Sequence, residues 1–297
     1  MRLLTLFFFL LVNMISYAQE SSIAKIRYIF KHVNDTTVPD KFLRDQVATF
    51  LGTHSTYYTS VSNEEISAQM KEQMNRPDFD GTLVLNKNST PTVSSYLIDY
   101  NKKQLEHIHR IASDKFIMKE EFPELDWNIL DETKEIGGYT CQKASTTFKG
   151  RTYEAWFTTE IPMSFGPWKL QGLPGLILAA SDTKHEVMFE YDGFEKTEGD
   201  LAVTIGPTEN VIQASKQDVE KLEKAFKENP NAYLQSKNNR SISGGIVVMG
   251  SRKSSAAPSA TASKGALDPS KIKSMTVKNA EDYKPSNVTN NPIELTP

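Results

Sequence analysis

Several groups of side chains in this 297-residue chain have the types and spacing that chemistry uses. Asp182, His185 and Glu186 stand close together and are all metal-ligand types. Their spacing matches no closed site, and strand alternation sends His185 and Glu186 to opposite faces, so a solvated hairpin tip is expected. His107 and His109, at i and i+2, share one strand face as two ligands would, but spacing nominates no third. Ser55 and Ser164 are hydroxyl nucleophiles by type. Neither stands in a nucleophile-elbow pattern, and no partner histidine is identified. Cys141 is the only cysteine, so no internal disulfide exists, and it reads as a small buried side chain more than as a reactive thiol. Arg151 follows a turn signal and has two open roles: a bidentate grip on an anionic headgroup, or a structural hydrogen bond to a neighbouring loop. No Gly-rich phosphate loop occurs. The catalytic, metal and cofactor assignments are therefore all none.

The densest run of backbone-fixing residues is Gly166-Pro167-Trp168, then Gly172-Leu173-Pro174-Gly175-Leu176-Ile177. Pro174 presets φ for the first central position of a turn, and Gly175 offers a positive φ at the second, so a type II turn is expected here. The turn launches an apolar run from Leu176, short enough to be a buried strand. Trp156, Phe165 and Trp168 either pack the core around this bend or line a ligand cavity, since such cavities are mostly apolar.

These residues need elements to hold them. Residues 23–33 alternate, with Ile26, Tyr28 and Phe30 on one face. Further strands are expected at 53–58, 82–85, 93–99, 104–111, 116–120, 127–136 and 201–205, with 101–103 as a turn. Residues 139–148 and 151–159 form the clearest hairpin, around Lys149-Gly150. Residues 176–181 and 185–191 form another, around 182–184. Ser62 with Glu65, and Ser215 with Asp218, are capping boxes opening helices near 63–75 and near Val219–Phe226; Asn229-Pro230 stops the second. Short strands joined by short turns pair in order. The expected fold is mainly β (α+β): a large curved antiparallel meander sheet, half-barrel-like, with two or so helices on one face.

Residues 1–18 read as a signal peptide: Arg2, an apolar run over 3–15 too short to span a bilayer, and a small-x-small site at 16–18. Residues 19–249 form a single β-rich domain. Residues 250–297, rich in Ser, Ala and Pro, are expected to be a disordered tail. The net charge of −3 without a basic stripe argues against a nucleic-acid partner. No transmembrane segment is expected in the mature chain.

The segments 138–144, 148–158 and 160–162, with the Gly-Pro-Trp and Gly-Leu-Pro-Gly-Leu-Ile stretches, resemble the GLPGLI family, named for the motif standing here as Gly172–Ile177. The resemblance is strong over 127–194, weaker over 23–58, and absent from the tail. It implies an exported protein of Bacteroidetes with no established activity, and a fold similar to periplasmic half-barrel carriers. The functional expectation is a non-catalytic binding or carrier protein for an apolar or amphipathic ligand, such as a lipid, in the periplasm, at the outer membrane or secreted. The alternatives are an accessory module docking on another cell-envelope protein and, third, an enzyme. Ligand-binding or structural roles fall to Arg151, Trp156, Phe165, Gly166, Pro167, Trp168, Gly172, Leu173, Pro174, Gly175, Leu176 and Ile177.

Overall fold

The computed structural model describes residues 20–197, 202–207, 210–233, 271–280 and 283–296. Alternation builds the first strand as expected: β1 (Ala24–His32) buries every second residue, with Ile26, Tyr28 and Phe30 inward. The chain then runs through β2 (Leu43–Leu51), β3 (Ser55–Ser60), α1 (Ser62–Met74), β4 (Thr82–Lys87), β5 (Ser94–Asp99), β6 (Gln104–Ile111) and β7 (Asp114–Glu120). A second run holds β8 (Asn128–Ile136), β9 (Tyr139–Phe148), β10 (Arg151–Thr158), β11 (Leu176–Asp182) and β12 (Val187–Lys196). It is followed by β13 (Ile212–Gln213), α2 (Lys216–Glu228) and β14 (Ser274–Asn279).

Two meanders meet in one 12-stranded sheet, in the order β13-β7-β6-β5-β3-β2-β1-β12-β11-β10-β9-β8. The sheet is not closed into a barrel. Strand β1 is the seam, antiparallel to β2 on one side and to β12 on the other. The sheet is mixed, because the two-residue β13 pairs parallel to β7. The β9–β10 hairpin has the expected register, with Arg151 opposite Phe148 and Ala155 opposite Ala144. Lys149 and Gly150 both take positive φ, which suits the twist of a two-residue hairpin.

Over the seam lies the long crossing between β10 and β11. Ile161, Phe165, Trp168, Leu170 and Leu173 from this crossing are buried in the main core with Tyr28, Phe30, Tyr58 and Phe189. Helix α2 packs on the same sheet farther along, placing Val219 against Phe116 and Met118. Among the described residues, no helix is long and apolar enough to cross a membrane.

Four local expectations change. The type II turn is absent: Gly175 has no positive φ, whereas Gly172 does (φ 94°). The Gly175 amide instead donates to Leu173 O at 2.7 Å, a tighter turn centred on Pro174, whose fixed φ suits it. The capping box on α1 does not form; Ser62 is the first helical residue and donates to Asp45 Oδ1 at 2.6 Å. The box on α2 does form, with Ser215 Oγ accepting from the Asp218 amide at 3.2 Å. The late strand reduces to a single bridge between Ser21 and Thr204.

The tail is the fourth change. Residues 1–18 and 250–270 lie outside the described residues, but 271–280 and 283–296 are packed. Strand β14 pairs parallel with β4, and Tyr283 and Asn291 are buried. Composition misreads this segment because polar groups, more than apolar area, fix it: Asn34, Asp35 and Arg151 bind its Ser286, Asn290 and Asn291.

Candidate functional site

Arg151 begins β10 and points into the protein with 2% side-chain exposure. All five of its N–H donors are used. Nη1 donates to Asp182 and Glu186, each at 2.8 Å; Nη2 to Asn291 Oδ1 at 2.6 Å and Pro292 O at 2.8 Å; Nε to Ile293 O at 2.8 Å. No donor remains for a headgroup, so of its two roles the structural one holds: Arg151 fastens the C-terminal segment to the sheet. Asp182 and Glu186 are absorbed by the same anchor, and Asp182 also accepts from the amides of Glu186 and Val187. No cluster of three or more metal-ligand side chains occurs among the described residues.

Trp168, Phe165 and Trp156 part company. Trp168, 3% exposed, takes a left-handed φ of 54° that turns its ring between Phe148 and Tyr153. Phe165 packs on Tyr100 with ring centroids 4.7 Å apart. Trp156 lies on the other face of the sheet, under the ammonium of Lys134 at 4.0 Å. Trp168 also borders a cavity. Gly166 is packed against Ile177, and Leu173, Leu176 and Ile177 are core residues. A Cβ on Gly175 would overlap the Thr158 carbonyl.

The chemistry gathers elsewhere, on the face of β5–β7 that α2 and the C-terminal segment border. Lys169, the residue between Trp168 and Leu170, is 3% exposed and ion-paired at 2.5 Å to both Glu120 and Glu294. Burial alone would lower its ammonium; the neighbouring Tyr96, Glu120 and Glu294 more than reverse this and raise it. Glu120 ends β7. Burial alone would raise its carboxyl, but hydrogen bonding to His107 and the Lys169 charge outweigh that and bring it down to about 2. Its Oε1 lies 2.7 Å from His107 Nδ1, and the His107 ring stacks on Tyr96 at 4.7 Å. His107 Nε2 is 2.9 Å from Ser94 Oγ, which is 3.5 Å from His109 Nδ1. His109 Nε2 faces Glu223 of α2 at 3.5 Å. Burial lowers the His109 imidazole, with Glu223 opposing.

Two cavities adjoin this chain of groups. One, of about 600 Å³, is lined by Phe122, Pro123, Phe148, Lys169, Lys216 and Glu294 among others. The other, of about 250 Å³, is bordered by Tyr96, His107, His109, Trp168, Glu120 and Glu223 among others. Glu120, Lys216 and Glu294 belong to both walls.

Over this region the chain matches a known family. Residues 56–187 match a family model described as N-glycanase peptide, N-terminal domain. This overturns the resemblance to the GLPGLI family, for which no match is found. The motif misled for a physical reason: Gly172 to Ile177 serves a bend and a close backbone contact, and such a need is not private to one family. Two solved structures of PNGF-II, in P21 and C2 crystal forms, each align with 68% of this chain at 13% identity and a TM-score of 0.44. The alignment spans 32% of the length of those proteins. No curated protein is a significant match.

Of the residues singled out from sequence, His107, His109 and Trp168 reach the cavity walls. Ser94, Glu120, Lys169, Glu223 and Glu294 were missed. A signal for Ser94 existed: the turn at 101–103 sets a register in which it lies opposite His109. Lys169 stood inside an apolar motif, where a lone cation asks for buried partners.

Proposed function

We propose that the chain is an exported cell-envelope protein that binds a small amphipathic ligand in the cleft between β7, the β10–β11 crossing and the C-terminal segment. One observation carries this reading: the wall of the 600 Å³ cleft combines apolar surface from Phe122, Pro123 and Phe148 with charge from Lys169, Lys216 and Glu294. A concave site of several hundred cubic ångströms with a few convergent polar groups is the usual form of a small-molecule site. Export rests on the leader pattern of residues 1–18. A wholly apolar cargo fits less well, because Phe165 and Trp168 are packed into the core. The test is mass spectrometry of an organic extract of protein purified from the periplasm, followed by titration of stripped protein with the recovered compound. A near-stoichiometric compound whose binding is weakened at least tenfold by Lys216→Ala is expected. A clean extract overturns the reading.

A second reading has its own support. The matched family is named as the N-terminal domain of an N-glycanase, and a domain so named accompanies another. The chain would then be an accessory module beside a glycan-acting envelope enzyme. Its signature is a clean extract together with an in-cell cross-link to one such enzyme.

A further inference from the structure

Ser94, His107 and Glu120 stand on three neighbouring strands, β5, β6 and β7, with their side chains on one face. The contacts run in series: Ser94 Oγ to His107 Nε2 at 2.9 Å, and His107 Nδ1 to Glu120 Oε1 at 2.7 Å. A serine, an imidazole at its hydroxyl and a carboxylate on the far ring nitrogen form the nucleophile–base–orienter series of acyl transfer. The tautomer follows from the carboxylate. Glu120 is ionised at neutral pH and has no proton to give, so His107 donates from Nδ1–H and leaves the Nε2 lone pair for the serine hydroxyl. Glu120 is itself fixed, because Lys169 holds its second oxygen at 2.5 Å and Glu294 holds Lys169. Both histidine rings beside Ser94 border the 250 Å³ cavity, which also carries the cation of Lys216. Ser94 is half-buried and does not itself border that cavity, so an ester must reach it past the two rings.

We propose that Ser94 is an activated nucleophile toward short-chain acyl esters, with His107 as its base and Glu120 as a positioning residue. Ser94 Oγ attacks the ester carbonyl carbon as its proton passes to His107 Nε2. The adduct collapses, the bond from carbonyl carbon to ester oxygen breaks, and the alcohol leaves with the proton from His107. Water then attacks the acyl carbon, giving a proton to His107; the acid departs, and that proton returns to Ser94. The cavity of about 250 Å³ beside the two rings has room for a short acyl chain and not for a long one. The inference stands apart from the ligand-binding reading, since a reactive serine needs no resident ligand to be detected.

The experiment is labelling of the full mature chain with a fluorophosphonate probe, read by intact mass and peptide mapping. One adduct, on Ser94, is expected. p-Nitrophenyl acetate should release a burst of about one equivalent of nitrophenol. His107→Ala should slow labelling on the order of 100-fold. Glu120→Gln should displace the pH–rate curve toward lower pH, because an imidazolium beside a neutral amide is less favoured. Ser94→Cys covers the case of a variant that folds poorly: paired with His107, its thiol should be alkylated by iodoacetamide near pH 6, where an ordinary thiol is protonated. An unlabelled Ser94 in the wild-type protein, equal labelling in folded His107→Ala, or an ordinary alkaline profile for Ser94→Cys each overturns the proposal.

Discussion

Gly175 and Glu120 show how single residues decide local outcomes. Gly175 is required for space and not for a positive φ, since a Cβ would press on the Thr158 backbone carbonyl, which cannot swing away as a side chain does. Gly175→Ala should therefore cost about 3 kcal/mol, the upper part of the overpacking range, while Gly172→Ala is strained by φ alone with nothing near its Cβ. Chemical denaturation checks the order; equal costs would point back to a conformational role. Glu120 makes a pH prediction. Its carboxyl drops from an ordinary 4.5 to about 2 on folding, so its contribution is fully present above about 4.5 and is lost as pH falls toward 2. Asp45, raised by burial against its Ser62, Thr92 and Ser60 hydrogen bonds, slopes the other way. Glu120→Gln isolates the first effect: stability measured from pH 6 to pH 2.5 should fall less steeply in the variant. A slope unchanged by the substitution would mean that Glu120 titrates normally.

The C-terminal segment behaves as an element of the fold. Strand β14 lies on one edge of β4, and two glutamines of α1 serve the other: Gln73 pairs with both backbone groups of Val84, and Gln69 with both of Asn86. Downstream, His32, Arg151 and Lys169 hold residues 291–294. Ending the chain after residue 270 strips Arg151 of three acceptors and Lys169 of one carboxylate. Leaving such buried cations under-paired costs several kcal/mol. At about 2–4 °C per kcal/mol for a domain of this size, the melting midpoint should drop by roughly 10 °C. A truncated protein that melts with the full chain would show that the segment rests on the sheet without supporting it.

At the scale of the whole molecule, the 12-stranded sheet joins two meanders at β1. Tyr28 ties them further, its hydroxyl donating to Ile177 O at 2.6 Å from beneath the crossing. The main core draws side chains from both meanders, while two smaller clusters belong to the β2–β7 half and the segments packed on it. Unfolding should then be one transition: tryptophan fluorescence, which reports Trp127, Trp156 and Trp168 on the β8–β12 half, should coincide with far-UV dichroism, which reports all strands. Separate midpoints would divide the meanders into independent units.

The sequence by itself determined the elements: the alternation of β1, the Lys149-Gly150 hairpin to the residue, the cap of α2, and the burial of Cys141. Each depends on neighbours within a few positions, where side-chain period and turn chemistry act directly. It also marked the stretches 166–168 and 172–177 as ligand-binding or structural, with a type II turn that Gly175 does not make. Only the tertiary structure decided the pairing of β1 with β12, the docking of residues 271–296, and the meeting of Ser94, His107, Glu120, Lys169 and Glu294. Those contacts join residues up to 259 positions apart, as between His32 and Asn291. They rest on buried polar and charged groups whose partners no local pattern names, because a hydrogen bond formed across a sheet leaves no periodicity along the chain.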